Sequence, residues 1–205
     1  MSVFSQRLAQ LKHQLKQQGY DAYLVPVQDE FQGEYTPAYA QRLPWLTGFS
    51  GSAGMAIVRA EGKSVLFVDG RYTLQAQDQV PADLFSLHHI VEDPPHRWLS
   101  ENLNNGGRLG YDPWLHTEDE VERFAKACVA ANAELRPVET NPVDAVWPRQ
   151  PPPPISPTIP HPERFAGEPS SDKRNRLAKA IAKDGIDASV LTAPDSIAWL
   201  LNIRG

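Results

Sequence analysis

Leu15-Lys16-Gln17-Gln18-Gly19-Tyr20-Asp21-Ala22-Tyr23-Leu24 and Ile181-Ala182-Lys183-Asp184-Gly185-Ile186-Asp187-Ala188-Ser189-Val190 are one pattern set down twice. Each finishes a charged amphipathic helix, puts a glycine where a left-handed C-cap is wanted, and passes through Asp-Ala into an apolar strand. The echo continues farther on, where Trp45-Leu46-Thr47-Gly48-Phe49 is answered by Trp199-Leu200-Leu201-Asn202-Ile203. After Gly48 the first copy runs on through alternating strands and helices, whereas the second stops two residues after Ile203. The expected architecture is therefore α/β, with one complete unit followed by an incomplete second copy of it.

Composition narrows what such a chain can do. Its 205 residues carry a formal net charge of -5 with Lys and Arg thinly spread, so no basic face is expected for phosphate contacts and nucleic acid is excluded as a partner. Cys128 is the single cysteine; it falls on the apolar side of an expected helix and reads as a structural thiol in a reducing compartment. No apolar run is long enough to span a bilayer and no signal-peptide core is present, so the expected location is cytoplasmic, with no membrane partner. Arg7, Lys12 and Lys16 precede the first acid, Asp21, a charge pattern shared with transit peptides. The same helix has a counterpart at 172–183, which assigns it to the fold.

The pass along the chain gives a helix over 5–18, a strand over 22–27 and a long loop over 28–43. Residues 55–59 and 64–68 are apolar runs joined by a turn around Glu61-Gly62-Lys63, an antiparallel hairpin. A short helix over 72–80 and a strand over 84–91 follow. Asp93 is then expected as the N-cap of a helix whose buried stripe is Trp98, Leu99 and Leu103. Next come a strand over 108–111 and a helix over 118–133 opened by a Thr117–Glu120 capping box, with Val121, Phe124, Ala125 and Cys128 facing inward. A last strand covers 134–139. Strands and helices alternating around a hairpin predict a mixed sheet with helices packed on it.

The expected division is a first domain over 1–140, a proline-rich linker over 141–162, and the start of a second domain over 163–205. The linker is expected to be extended and stiff, the second part to supply a helix, a strand and the beginning of another helix. An exposed Leu or Ile forfeits about 1.5–3 kcal/mol relative to burial. The remnant is thus expected to dock on the first unit, pair with another chain, or fray.

Chemistry-bearing motifs are few. The run Gly48-Phe49-Ser50-Gly51-Ser52-Ala53-Gly54 lacks dinucleotide-binding spacing and leads into a strand, and Ser52 stands where a nucleophile elbow needs glycine. It reads as a tight connection, with Ser50 or Ser52 as a hydrolase nucleophile the weaker alternative. His88 and His89 are adjacent in a strand and point to opposite faces, while His13, His96, His116 and His161 lack a second ligand at helical spacing, so no metal site is expected. Asp119 and Glu120 suit the first turn of a helix and need no further role. Asp69-Gly70-Arg71-Tyr72 closes a strand and opens a helix. There Arg71 either binds a carboxylate or carbonyl through its guanidinium, or forms a plain surface pair with Asp69.

Taken in order, Arg42-Leu43-Pro44-Trp45-Leu46-Thr47-Gly48-Phe49-Ser50-Gly51-Ser52-Ala53-Gly54, Val68-Asp69-Gly70-Arg71-Tyr72, Gly110-Tyr111-Asp112-Pro113, Asn141-Pro142-Val143-Asp144 with Trp147, and Asp195 through Gly205 resemble the three-domain Xaa-Pro aminopeptidases. The resemblance implies two creatinase-like α/β domains ahead of a pita-bread catalytic domain. That catalytic domain would hold two divalent metal ions, usually manganese, through two Asp, one His and two Glu, and would remove the residue preceding a proline at position two. It also implies that Arg71 matches the arginine lent by the first domain to peptide binding, and that the protein is a homodimer. The family places every metal ligand and catalytic histidine beyond residue 205, so no catalytic residue and no metal ligand is expected in this span, and the chain alone is expected to be inactive. The alternative is a stand-alone peptide-binding or scaffold protein descended from the peptidase.

Overall fold

A computed structural model describes residues 2–205, which divide into two compact units, one of residues up to 30 with 34–152 and one of 31–33 with 153–205. The first unit is built on a six-stranded sheet. Its strands are β1 (Ala22–Pro26), β2 (Gly54–Arg59), β3 (Ser64–Val68), β4 (Phe85–His89), β5 (Arg108–Tyr111) and β6 (Glu134–Pro137), in the order β4-β3-β2-β1-β5-β6. The β2–β3 pair is the expected antiparallel hairpin, with Ala56 opposite Leu66, and β2 is also antiparallel to β1, with Leu24 opposite Ile57. The β1–β5, β5–β6 and β3–β4 pairs are parallel. Every strand but β2 therefore ends at the same edge of the sheet, the edge at which open α/β sheets present their ligand sites.

All five residues of β1 are buried, and period-two alternation sends them to different cores. Tyr23 and Val25 join Leu8, Leu11 and Leu15 of α1 (Val3–Gln18) on one face. Ala22 and Leu24 join Trp98 and Leu99 of α4 (Pro95–Asn102) and Phe124 and Cys128 of α5 (Glu118–Ala130) on the other. Each of the larger side chains contributes about 1.5–3 kcal/mol by leaving water. The capping box of α5 is present: Thr117 accepts from the Glu120 N–H, and the Glu120 carboxylate accepts from the Thr117 N–H. Its inner face is Phe124, Ala127 and Cys128; Val121 and Ala125, expected there, are only half-buried.

Three other details of the first unit depart from expectation. Residues 42–47, bordering the expected loop, form the six-residue helix α2 (Arg42–Thr47), which buries Leu43 and Leu46. A helix that short shows no period in sequence. Asp93 is not an N-cap: Pro94 occupies that position without a side-chain bond. The Asp93 carboxylate accepts instead from His88 Nδ1 at 2.5 Å and Arg97 at 3.1 Å, because two charge-assisted bonds outweigh one cap. The His88 bond, with Arg97 assisting, holds Asp93 below the usual carboxylate range.

The third departure concerns the proline-rich stretch. After β6, Asn141 N-caps α6 (Pro142–Val146), accepting from the Val143 N–H at 2.9 Å while its amide donates to Asp112 at 2.9 Å. Arg42 Nε and Nη2 grip the Asp144 carboxylate at 2.7 Å each, and Gln150 donates both to Asp144 and to the Tyr39 carbonyl. Residues 141–150 thus pack within the first unit, beyond the boundary expected at 140.

In the second unit, α7 (Glu163–Ala166), α8 (Ser170–Lys183) and α9 (Pro194–Leu201) accompany a two-stranded ribbon of β7 (Ile159–Pro160) and β8 (Ile203–Arg204). Lys173 is its buried cation. It donates to the Trp199 carbonyl at 3.0 Å and to Asn202 Oδ1 at 2.7 Å, under the Trp199 ring. The strand expected after Asp187-Ala188 does not form: 188–191 joins no ladder, and Val190 is 87% exposed.

Replacing Asp144 by Ala leaves the Arg42 guanidinium buried without its carboxylate. A loss of about 2–4 kcal/mol is expected, discounted for the solvent that reaches Asp144, read as a lower urea midpoint at unchanged slope. A second expectation concerns Cys128, whose thiol burial pushes up to about 11. An unfolded thiol ionises near pH ~8.5, so the unfolded chain loses its proton first. Stability should fall as pH rises from there toward the folded value. A thiol-reactive dye should label the native chain slowly and the urea-unfolded chain at once.

Candidate functional site

The carboxyl edge of the sheet carries the Asp69-Gly70-Arg71-Tyr72 turn, where β3 ends and a single 3-10 turn over Gly70–Tyr72 leads into α3 (Thr73–Gln79). Asp69 is its N-cap. One carboxylate oxygen, Oδ1, accepts from both the Arg71 backbone N–H and Arg71 Nε at 2.9 Å each. The Arg71 side chain is 69% exposed, and its guanidinium carbon sits 5.4 Å from the Tyr72 ring centre, within cation–π range. The plain Asp69–Arg71 surface pair is thus present, with the guanidinium still turned to solvent. Hydrogen bonding to Arg71 holds Asp69 below the ordinary carboxylate range and raises Arg71.

Tyr72 is itself anchored. Its hydroxyl lies 2.8 Å from Ser52 Oγ, and its ring meets Phe49 edge-on at 5.7 Å; the bond with Ser52 lowers the phenol's pKa. Phe49 is fully buried, and a β-carbon at Gly51 would stand 2.3 Å from its ring, so the backbone can pass only with glycine there. Gly70 is tied similarly, since a β-carbon would lie 2.9 Å from His89 Nε2. His89 Nδ1 accepts from the Val91 and Glu92 N–H groups, which places the ring proton on Nε2. The glycine-rich connection therefore shapes the floor beneath Arg71.

Neither serine is equipped as a nucleophile. Ser50 Oγ accepts from Gln75 and Gln79 amides at 3.0 Å each, and Ser52 is bonded to a phenol; none of these is a general base at neutral pH. Among the described residues no group of three or more His, Cys, Asp and Glu could hold a metal ion. His88 and His89 face apart as expected. His116 is buried against Tyr111 and Phe124 with Glu120 Oε2 3.7 Å from Nδ1, and no hydrogen bond reaches either ring nitrogen. A separate groove of about 400 Å³ between α1 and α6, lined by Gln10, His13, Gln14 and Trp147 among others, includes no residue of the Arg71 cluster. The sequence pointed to Arg71 but missed the Ser52–Tyr72 pair, whose only signal is a hydroxyl residue in each of two adjacent motifs.

The fold is a mixed α/β sheet with helices on both faces, and an exposed arginine stands at the carboxyl edge of β3. Family models described as creatinase/prolidase N-terminal domain match residues 7–146 and again 149–205. The chain belongs to the creatinase/prolidase N-terminal domain family, and within it corresponds to the N-terminal part of the aminopeptidase P proteins. It is 39% identical to Aminopeptidase P1 of Arabidopsis thaliana over 90% of this chain and 28% of that protein. It is 36% identical to the probable Xaa-Pro aminopeptidase P of Paracoccidioides brasiliensis over 98% of this chain and 33% of that one.

Among solved structures, X-prolyl aminopeptidase from Caenorhabditis elegans, described as a cytosolic enzyme with a di-nuclear active site, superposes over all of this chain and 35% of its own, with TM-score 0.85 and 30% identity. The N-terminal domain of cytoplasmic peptidase PepQ from Mycobacterium tuberculosis H37Rv matches 69% of this chain with TM-score 0.53 and 28% identity. The chain spans about a third of the length of the curated relatives it matches. No helix among the described residues is long and apolar enough to cross a membrane.

Gly51→Ala should overpack the Phe49 ring and destabilise the chain by about 1–3 kcal/mol, read by thermal or urea unfolding. The near-ultraviolet signal of Tyr72 should change with it.

Proposed function

We propose that this chain is the non-catalytic front portion of a metal-dependent Xaa-Pro aminopeptidase, acting on peptides with proline in second position. The observation that carries the reading is the superposition of the whole chain on 35% of the C. elegans enzyme at 30% identity. Two divalent metal ions, manganese by resemblance, belong in this reading to a catalytic domain outside these residues. Among the described residues no cluster of His, Cys, Asp and Glu fits a two-ion centre.

What the chain contributes is position. The Arg71 guanidinium, exposed at the carboxyl edge, offers N–H donors to a carbonyl or carboxylate of the bound peptide. Subunit contacts within a homodimer and a cytoplasmic location are parts of the same proposal. So is the division into a first domain, a proline-rich spacer and the start of a second domain, with the packed segment 141–150 added to the first. The exposed Val190, Trp199 and Leu201 favour a second reading, a stand-alone scaffold that binds a partner through its C-terminal part.

The encoded sequence past Gly205 separates the two. A frame running into a domain with two Asp, one His and two Glu as metal ligands supports the peptidase, and a stop codon supports the scaffold. The 205-residue chain, given manganese and an Xaa-Pro tripeptide, should release no amino acid; measurable turnover would overturn the reading. In the full-length enzyme Arg71→Ala should raise KM for the tripeptide by about 10-fold or more, the loss of a charge-assisted hydrogen bond, with an unchanged unfolding midpoint.

A further inference from the structure

Arg71 is held by the Asp69 carboxylate and the Tyr72 ring, and the way it is held restricts what it can bind. Asp69 Oδ1 takes the backbone N–H and Nε together, so the side-on fork of Nε and one Nη is not available to a ligand. The Tyr72 ring packs against the guanidinium, and that ring is fixed in turn by Ser52 at its hydroxyl and by Phe49 at its face. Asp69 also caps the 3-10 turn through the Arg71 N–H, but the added side-chain pair with Nε is exposed and contributes at most about a kilocalorie per mole to stability. An arginine side chain otherwise samples many rotamers, and each one frozen before binding is one that binding need not freeze. Preset geometry of this kind is how a supporting residue makes a first contact effective.

We propose that Asp69 and Tyr72 are positioning residues that preset Arg71 as an end-on receptor, presenting Nη1 and Nη2 to one carbonyl or carboxylate group of the peptide. The proposal rests on the reading that Arg71 contributes to peptide binding, and it adds what holds Arg71 ready. Asp69 acts through Arg71 and touches no substrate. Tyr72 acts the same way, with its hydroxyl retained by Ser52.

Two measurements test this. In the 205-residue chain, nuclear magnetic resonance should show the Arg71 Nε–H as a resolved, slowly exchanging signal. Asp69→Ala should abolish that signal while leaving the amides of β2 and β3 in place, and Asp69→Asn, which keeps an acceptor, should retain it. A fast-exchanging Nε–H in the unmodified chain would overturn the geometry.

In the full-length enzyme, Asp69→Ala should raise KM for an Xaa-Pro tripeptide about 3- to 10-fold, as expected for releasing a rotamer-rich side chain, with kcat nearly unchanged. Asp69→Asn should restore most of the loss, and the Asp69→Ala, Arg71→Ala double variant should be no worse than Arg71→Ala alone, because a residue acting only through Arg71 has nothing left to position. Independent, multiplying effects of the two single variants would overturn the inference and leave Arg71's own role standing. An unchanged KM in Arg71→Ala would overturn both.

Discussion

Strand β1 is the constraint from which the rest of the first unit follows. Five consecutive residues, Ala22 to Pro26, are buried on both faces, so the strand needs a hydrogen-bonded neighbour on each side and an apolar cover above and below. The hairpin supplies β2 on one side and a crossover through α4 supplies β5 on the other. One face is then filled by α1 and the other by α4 and α5. The parallel β1–β5 and β3–β4 pairs line up their carboxyl ends, and Asp69-Gly70-Arg71 emerges at that edge. The site is a consequence of strand direction before it is a matter of side-chain chemistry. Burial at this density has a cost, visible in Tyr23, whose hydroxyl is enclosed without a hydrogen-bond partner and whose pKa desolvation raises.

A second tie closes the unit. Arg42 and Asp144 lie 102 residues apart in sequence and meet in a bidentate pair. Arg42 opens α2, whose C-terminal Gly48 begins the glycine-rich connection, and Asp144 sits in α6 after the last strand. Trp45 of α2 stacks on Trp147 at 4.9 Å, and the Arg7 guanidinium of α1 lies over the Trp45 ring at 4.7 Å. The pair therefore fixes α2, and with it Phe49, on whose ring the Tyr72 side chain rests. Charge pairing in one corner and cation–π contact at the edge are connected through two aromatic rings and a buried helix.

Much of this was legible in the sequence where the code is local. Thr117 and Glu120 announced their capping box, and Glu61-Gly62-Lys63 between two apolar runs announced the hairpin. What was not legible depends on distant partners. Nothing near Asp93 signals that His88 and Arg97 compete for its carboxylate, and α2 owes its existence to the pockets that receive Leu43 and Leu46. Pro142 looked like the beginning of an extended spacer because further prolines follow it at 148 and 151–154. In the fold it opens a helix that Asn141 caps and Arg42 holds. At the site, Arg71 stood out because guanidinium chemistry is recognisable anywhere, whereas the Ser52–Tyr72 bond exists only once the hairpin and the strand-to-helix turn are side by side.

The repeated pattern separates the two kinds of information. Gly19 and Gly185 both adopt left-handed φ, at 75° and 72°. The same pair of bonds closes each helix: Tyr20 N–H to Leu15 O with Gly19 N–H to Lys16 O, and Ile186 N–H to Ile181 O with Gly185 N–H to Ala182 O. The later echo behaves alike, with Gly48 and Asn202 as left-handed caps of α2 and α9; asparagine, which tolerates that region best after glycine, replaces it at the second site. Helix ends are thus specified within six residues and form in both copies. The strand that should follow forms only at 22–26, where β2 and β5 flank it, and not at 188–191, where no flanking strand lies among the described residues. Ala-Ser-Val-Leu has the composition of a strand, but a ladder bond needs a second backbone.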